Sequence, residues 1–199
     1  PYKVLDGKLK GSDLTGIRYE QLIPWFNPGE GAFKVIPGDY VTTEDGTGIV
    51  HIAPTFGADD AKVARLAGVP GLQVVDRNGD LQAQVDLRGR FFRLEDLDPD
   101  YAAANMSPEY AEWAGRYVKN AYDAELPADA PTLDVDICVM LKQQNKAFKV
   151  EKHTHNYPHC WRTDKPVLYY PLNYWFTKTT AGRERMMELN EQIMWQPES

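Results

Sequence analysis

Residues 46–60 read GTGIVHIAPTFGADD. Taken residue by residue, this is a glycine turn, a run rich in β-branched side chains, a proline that ends it, a glycine-containing loop and two acidic residues. β-Branched residues favour extended backbone, so His51 falls on a strand-like segment. Carboxylates in a first helical turn face unpaired N–H groups and the positive end of the helix dipole, so Asp59 and Asp60 mark a helix start. A histidine and two carboxylates gathered by one short stretch make a site candidate. Each also has a plainer role that spacing alone favours. Asp59 and Asp60 suit helix capping, worth ~1 kcal/mol. His51 suits a strand histidine with a satisfied hydrogen bond, and Gly46 and Gly48 suit a turn and a close approach.

Working outward, residues 33–36 and 40–43 read as short strands around the turn Pro37-Gly38-Asp39, and residues 48–52 as a third. The helix opened by Asp59 and Asp60 runs through Ala67, with Val63, Leu66 and Ala67 on one face and Gly68 just past its end. Residues 72–75 form a strand, and Asp76-Arg77-Asn78-Gly79 turns it into a hairpin. Helical spacing is expected over residues 94–97, 101–106, 108–122 and 132–144, with Val135, Cys138, Val139 and Leu141 as core positions of the last. Residues 147–153, 167–170 and 175–176 read as extended, and residues 182–194 as a charged amphipathic helix. The texture becomes dense in aromatics from Asn156, which places a boundary near residue 155.

The 199 residues, 43% hydrophobic and 26% charged, have an ordinary globular composition. No apolar run is long enough to cross a bilayer, and two cysteines without framework spacing fit a reducing cytosol. A net charge of −7 argues against a large basic nucleic-acid surface. It leaves room for a local groove on a single-stranded end, for which Lys142, Lys146, Lys149, Lys152, Arg162 and Lys165 form a loose stripe. Lysines on a helix face are more often simply a solvated face, which is the favoured role for these. Pro1 begins in mid-pattern and Ser199 follows directly on a helical run, as in a segment cut from a longer protein.

The stretch 46–60 resembles the editing domain inserted into isoleucyl-, valyl- and leucyl-tRNA synthetases, whose GTG turn and strand are followed at this spacing by an acidic residue, here Asp60. His51 and Ala53-Pro54-Thr55-Phe56-Gly57 are similar to the isoleucyl branch. The valyl branch tends to Lys at the position of His51 and to His-Asp in place of Phe56-Gly57. A second match, His155-Asn156-Tyr157-Pro158-His159-Cys160-Trp161-Arg162 with Lys165-Pro166-Val167 and Trp175-Phe176, resembles the isoleucyl family's passage from editing domain to catalytic core. The resemblance implies an α+β fold with a β-barrel-like core and peripheral helices, residues 1–155 being editing domain and 156–199 the connection to the core.

It also implies a chemistry. Asp60 would hold the α-ammonium of a misattached amino acid, and His51 would line the amino-acid pocket. Gly46, Thr47, Gly48, Ile49, Phe56, Gly57 and Asp59 would complete substrate binding. The implied substrate is the tRNA(Ile) acceptor end carrying valine, and the implied partner is the rest of the parent chain, in the cytoplasm. One methylene gives a hydrophobic pocket only ~1–3 kcal/mol of discrimination, a limit for which the isoleucyl enzyme is itself the standard illustration. A second site that admits valine and hydrolyses its ester supplies the remainder. The family's threonine-rich Thr-Thr-Thr-Pro-Trp segment is absent, and Thr42-Thr43 does not replace it. The isolated chain is therefore expected to be inactive or nearly so. The HIGH and KMSKS signatures are absent too, so no cofactor is expected here, ATP and Mg2+ belonging to the parent core.

No metal is expected either. His153, His155, His159 and Cys160 cluster, but Thr163 stands where some relatives carry a second cysteine, and packing is the simpler role. The sequence leaves two other functions open. One is a non-catalytic fragment that binds or positions the acceptor end, and the other is the editing domain of a valyl or leucyl relative.

Overall fold

The computed structural model describes residues 3, 7–44, 47–127, 129–152 and 154–194. Its core is aromatic. Trp25, Phe26, Val74, Leu97, Tyr110, Trp113 and Leu133 form one buried cluster. The Trp25 ring lies 4.7 Å from Trp113 and the Phe26 ring 4.6 Å from Tyr110, centroid to centroid. Such tilted contacts add to the gain from buried area. Tyr110 is fully buried and its hydroxyl donates to the Phe92 carbonyl, so its polar end is satisfied.

Short elements surround this cluster. Strand β1 (Val74–Val75) pairs antiparallel with β2 (Leu81–Gln82), Val74 opposite Gln82 and Val75 opposite Leu81. The hairpin expected from Asp76-Arg77-Asn78-Gly79 is present. Asp76 Oδ1 accepts from the Asn78 and Asp80 N–H groups at 2.8 and 3.1 Å, and Gly79 takes φ +85°. Gln82 donates to Asp76 Oδ2, and this bond, ahead of the turn amides, holds the Asp76 carboxyl below its usual range. The same turn recurs at once. Asp86 Oδ1 accepts from the Arg88 and Arg90 N–H groups, Gly89 takes φ +80°, and the Arg90 guanidinium closes on Asp86 Oδ2 at 2.8 Å.

Helix α1 is Gly11–Leu14, α2 is Ala58–Leu66, α3 is Pro99–Asn105, α4 is Leu133–Gln143 and α5 is Arg183–Glu191. Asp98 caps α3 by accepting from Tyr101 N–H at 2.7 Å, with Pro99 in the first turn. At the end of α2, Gly68 takes φ +63°, Gly68 N–H donates to Arg65 and Val69 N–H to Ala64, a Schellman closure.

The β-barrel-like core is not found. Among the described residues one two-stranded ladder and isolated bridges make up the paired β structure, an open sheet in a mixed helix and strand fold. A barrel needs every strand edge paired around a closed circle. The expected strand 33–36 is reduced to the bridge Arg18–Lys34, because Phe33 takes φ 53° and breaks the extended run at its start. Residues 48–52, 167–170 and 175–176 form no ladder, and Trp175 is 102% exposed.

The helix expected over 108–122 is instead two short 3-10 helices, Pro108–Glu112 and Asn120–Tyr122. Between them Gly115, at φ +79°, ends the helical path and Tyr117 bridges to Arg90. Two helices are also rotated from expectation. In α2 the buried residue is Ala64 while Leu66 is 82% exposed. In α4 Leu133, Ile137 and Met140 meet the core, Val135 and Val139 are exposed, and Cys138 and Leu141 are half-buried.

Residues after 156 pack back on this body through tyrosines. Tyr122 Oη donates to Pro166 O at 2.8 Å and Tyr170 Oη to Val85 O at 2.7 Å. Farther on, α5 has no buried residue.

Candidate functional site

The stretch that begins at Thr47 is folded by its own short-range bonds. Thr47 Oγ1 accepts from Ile49 N–H at 3.3 Å, tying the turn to the extended run. Gly48 takes φ +75°, and a Cβ there would lie 3.2 Å from Thr43 Cγ2, so conformation and space both ask for glycine. Ile49 is 60% exposed, and His51 is exposed with no hydrogen bond or ring contact among the described residues. Gly46 lies outside the described residues.

The loop Ala53-Pro54-Thr55-Phe56-Gly57 then closes on itself. Ala53 O accepts from Phe56 N–H at 3.0 Å and from Gly57 N–H at 2.9 Å. Gly57 is the N-cap of α2 and offers no side-chain cap. Asp59 and Asp60 occupy the first turn of α2, where the helix dipole favours a carboxylate. The capping role is only partly met. Asp60 does not bond the amides of its own helix but reaches back, and its Oδ2 accepts from Ala53 N–H at 2.8 Å. Asp59 is exposed and Asp60 half-buried. Of the candidate residues, Thr47 and Ile49 are thus bonded to each other, and Asp60 is brought against Gly57. His51 stands apart on the exposed run.

Three supports of this loop were not visible from local pattern. Thr55 Oγ1 donates to Leu72 O at 2.6 Å, fastening the loop to the segment that leads into β1. Gly71 leaves room for that bond, since a Cβ there would lie 3.2 Å from Thr55 Oγ1. The Phe56 ring meets Tyr170 edge-on at 6.4 Å, while the Tyr170 hydroxyl is held by Val85 O. Burial, with a smaller contribution from Asp86, raises the Tyr170 phenol above its usual range. An aromatic-rich sequence around Tyr170 was the only available signal.

Cavities lie elsewhere among the described residues. One, about 640 Å3, is lined by Arg90, Arg93, Arg116, Tyr117 and Tyr122 among others, its guanidinium groups paired with Asp86, Glu95 and Asp136. A smaller one, about 280 Å3, is lined by Gln82, Asp86, Phe92 and Tyr170. Neither includes a residue of the stretch 47–60.

Around Cys160 the chain makes a tight turn. Cys160 N–H donates to Lys165 O, Asp164 N–H to Cys160 O, and Asp164 takes φ 55°. The Thr163 hydroxyl first, then the Arg162 and Thr163 amides, lower the Cys160 thiol below its usual range. His155 Nδ1 contacts Asn156 O at 3.0 Å, and His153 lies outside the described residues. Among the described residues no three His, Cys, Asp or Glu side chains are grouped to hold a metal ion. The basic stripe is interrupted. Lys146 Nζ donates to Leu22 O and Lys149 pairs with Glu151, while Arg162 stacks on the exposed Trp161 ring at 4.6 Å.

No family model matches the chain. It is 63% identical over 200 aligned positions to the isoleucine–tRNA ligase of Bacteroides fragilis, which covers the whole chain and 17% of that relative. Against the isoleucine–tRNA ligase of Porphyromonas gingivalis the identity is 62%, over 18% of the relative. The chain belongs to the isoleucine–tRNA ligase family, as a segment of it. A distant ligase, from Thermoplasma volcanium, is 39% identical over 99% of the chain. The ligase-family segment spans about a sixth of the length of these relatives, given as 17%, 18% and 16%. A valyl or leucyl origin is thereby set aside. Among its described residues no helix is long and apolar enough to cross a membrane.

Proposed function

We propose that residues 1–155 are the larger part of the unit with which an isoleucine–tRNA ligase hydrolyses valine misattached to tRNA(Ile), and that residues 156–199 lead toward the aminoacylating core. The observation that carries this reading is the state of Asp60. One carboxylate oxygen is clasped by the Ala53 amide, and the other makes no hydrogen bond among the described residues, in the first turn of α2. A carboxylate fixed at one oxygen and open at the other suits an ammonium group, which it would hold through a charge-assisted hydrogen bond.

The chemistry then asks little more. An aminoacyl ester is activated, and hydrolysis needs a positioned water and stabilisation of the developing charge. In this reading the Asp60 carboxylate anchors the amino-acid end beside the loop at Phe56 and Gly57, and the exposed run with His51 and Ile49 offers further surface to the substrate. The acceptor end of tRNA and the rest of the ligase chain are the partners, in the cytoplasm. ATP and Mg2+ serve the parent core. Thr47, Ile49, Val50, His51 and Asp59 are exposed, which supports the further proposal that the isolated chain is inactive or nearly so.

That openness also favours a second reading, in which the segment binds and positions the acceptor end without cleaving. Hydrolysis of valyl-tRNA(Ile) separates the two, measured for this chain and for a full-length ligase carrying it, each with and without Asp60→Ala. The editing reading expects cleavage by the full-length wild type, loss on Asp60→Ala, and survival of isoleucyl-tRNA(Ile). An unimpaired Asp60→Ala ligase, with acceptor-end binding retained by the segment, would transfer the assignment to positioning.

A further inference from the structure

Asp60 reaches Ala53 by folding back across the entry to α2, and its path runs over Gly57. A Cβ built on Gly57 would lie 2.6 Å from Asp60 Oδ2, 2.8 Å from Cγ and 3.0 Å from Cβ. The first two separations are closer than real Cβ contacts come, and the third is at that limit. Yet Gly57 has φ −103° and ψ 126°, ordinary extended backbone open to every L residue. Its missing side chain is therefore required by space alone, and the space is that of the carboxylate. Gly48, by contrast, has φ +75° and would be strained by any side chain.

We propose that Gly57 is a positioning residue for the Asp60 carboxylate, keeping clear the path by which Oδ2 reaches the Ala53 amide and Oδ1 stays open to a substrate ammonium. This rests on the editing reading given above. With alanine at position 57, the group that yields is the end of the Asp60 side chain, because the loop backbone is tied on both sides. Ala53 O holds the Phe56 and Gly57 amides, and Gly57 O accepts from Ala61 N–H at 2.8 Å. The carboxylate swings out, the Ala53 N–H loses its acceptor and the ammonium loses a fixed partner, while the fold remains. Gly57 touches no substrate in this account and acts only through Asp60.

Two measurements test it. The first uses the 199-residue chain. In the wild type the Ala53 amide resonance follows titration of a carboxylate. In Gly57→Ala, as in Asp60→Asn, that pH-dependent shift disappears while the melting temperature stays close to wild type. The second uses the full-length ligase and valyl-tRNA(Ile). Gly57→Ala raises KM at least about tenfold with a smaller change in kcat, as expected for loss of one charge-assisted hydrogen bond. Added to Asp60→Ala it causes no further loss.

A Gly57→Ala chain that keeps the Ala53 titration shift overturns the proposal. So does one that fails to fold, or that lowers deacylation further in the Asp60→Ala background. If Asp60→Ala itself leaves deacylation unchanged, the editing reading fails instead. The titration arm on the isolated chain still decides whether Gly57 positions the carboxylate.

Discussion

The cluster around Tyr110 and the stretch around Asp60 are built on opposite terms. Tyr110, Leu97 and Val74 have no measurable exposure, and Trp25, Phe26 and Trp113 close over them. The stretch 47–60 has no buried residue and is held by short hydrogen bonds within itself, at Ala53 and Ile49, and by one to Leu72. Stability resides in the first region and the candidate chemistry in the second. A surface loop can expose a carboxylate to a ligand because a separate aromatic core supplies the burial that folding needs.

Substitutions should divide along that line, and the largest effects belong to the core. Tyr110→Ala removes a fully buried ring and is expected to cost about 3–5 kcal/mol in denaturant unfolding. A loss below about 1 kcal/mol would break the comparison. Gly89→Ala comes next, at about 2–4 kcal/mol, since it adds left-handed strain to a Cβ that would overlap Tyr122. Gly79→Ala, in the matching turn but with open space, should cost only about 1–2 kcal/mol, which isolates the steric share.

Alkali should also act on the core. Burial raises the Tyr110 phenol above its ordinary 10.0, so the folded state holds this proton more tightly than the unfolded state. The stabilisation is fully present below pH 10.0, and stability falls as pH rises beyond it. Tyr110→Phe should blunt that fall while losing about 1 kcal/mol at neutral pH from the missing hydrogen bond to Phe92. pH-dependent unfolding of the two chains measures both.

The smallest stability effects are expected in the site stretch. Asp60→Ala should cost about 1 kcal/mol, for one partly exposed hydrogen bond, and His51→Ala less than about 0.5 kcal/mol. In the full-length ligase the order reverses, with Asp60→Ala giving the larger loss of valyl-tRNA(Ile) deacylation. A His51→Ala chain that unfolds readily would show that the exposed run carries structure as well as surface.

Local chemistry explains what could be read in advance. Asp76-Arg77-Asn78-Gly79 makes its turn from one carboxylate and one glycine, and Gly68 ends α2 through its own φ, so both were legible. The start of α2 near Asp59 and Asp60 was legible for the same reason. Helix phase was not. Val135 and Leu133 lie on one short helix, and only the position of the aromatic core decides that Leu133 is buried and Val135 exposed. The barrel expectation failed on pairing, because extended backbone becomes a sheet only when another strand lies alongside.

The sequence by itself determined the turn at Asp76–Gly79, the start of α2 and its glycine stop, and the family, since each follows from residues adjacent in the chain or from identity along it. Tertiary structure alone decided that Asp60 bonds Ala53 rather than capping its helix, that Tyr170 supports Phe56, and that Tyr110 anchors the core. Those contacts depend on where side chains meet in space, and the energy of a contact is set by the burial and partners found there.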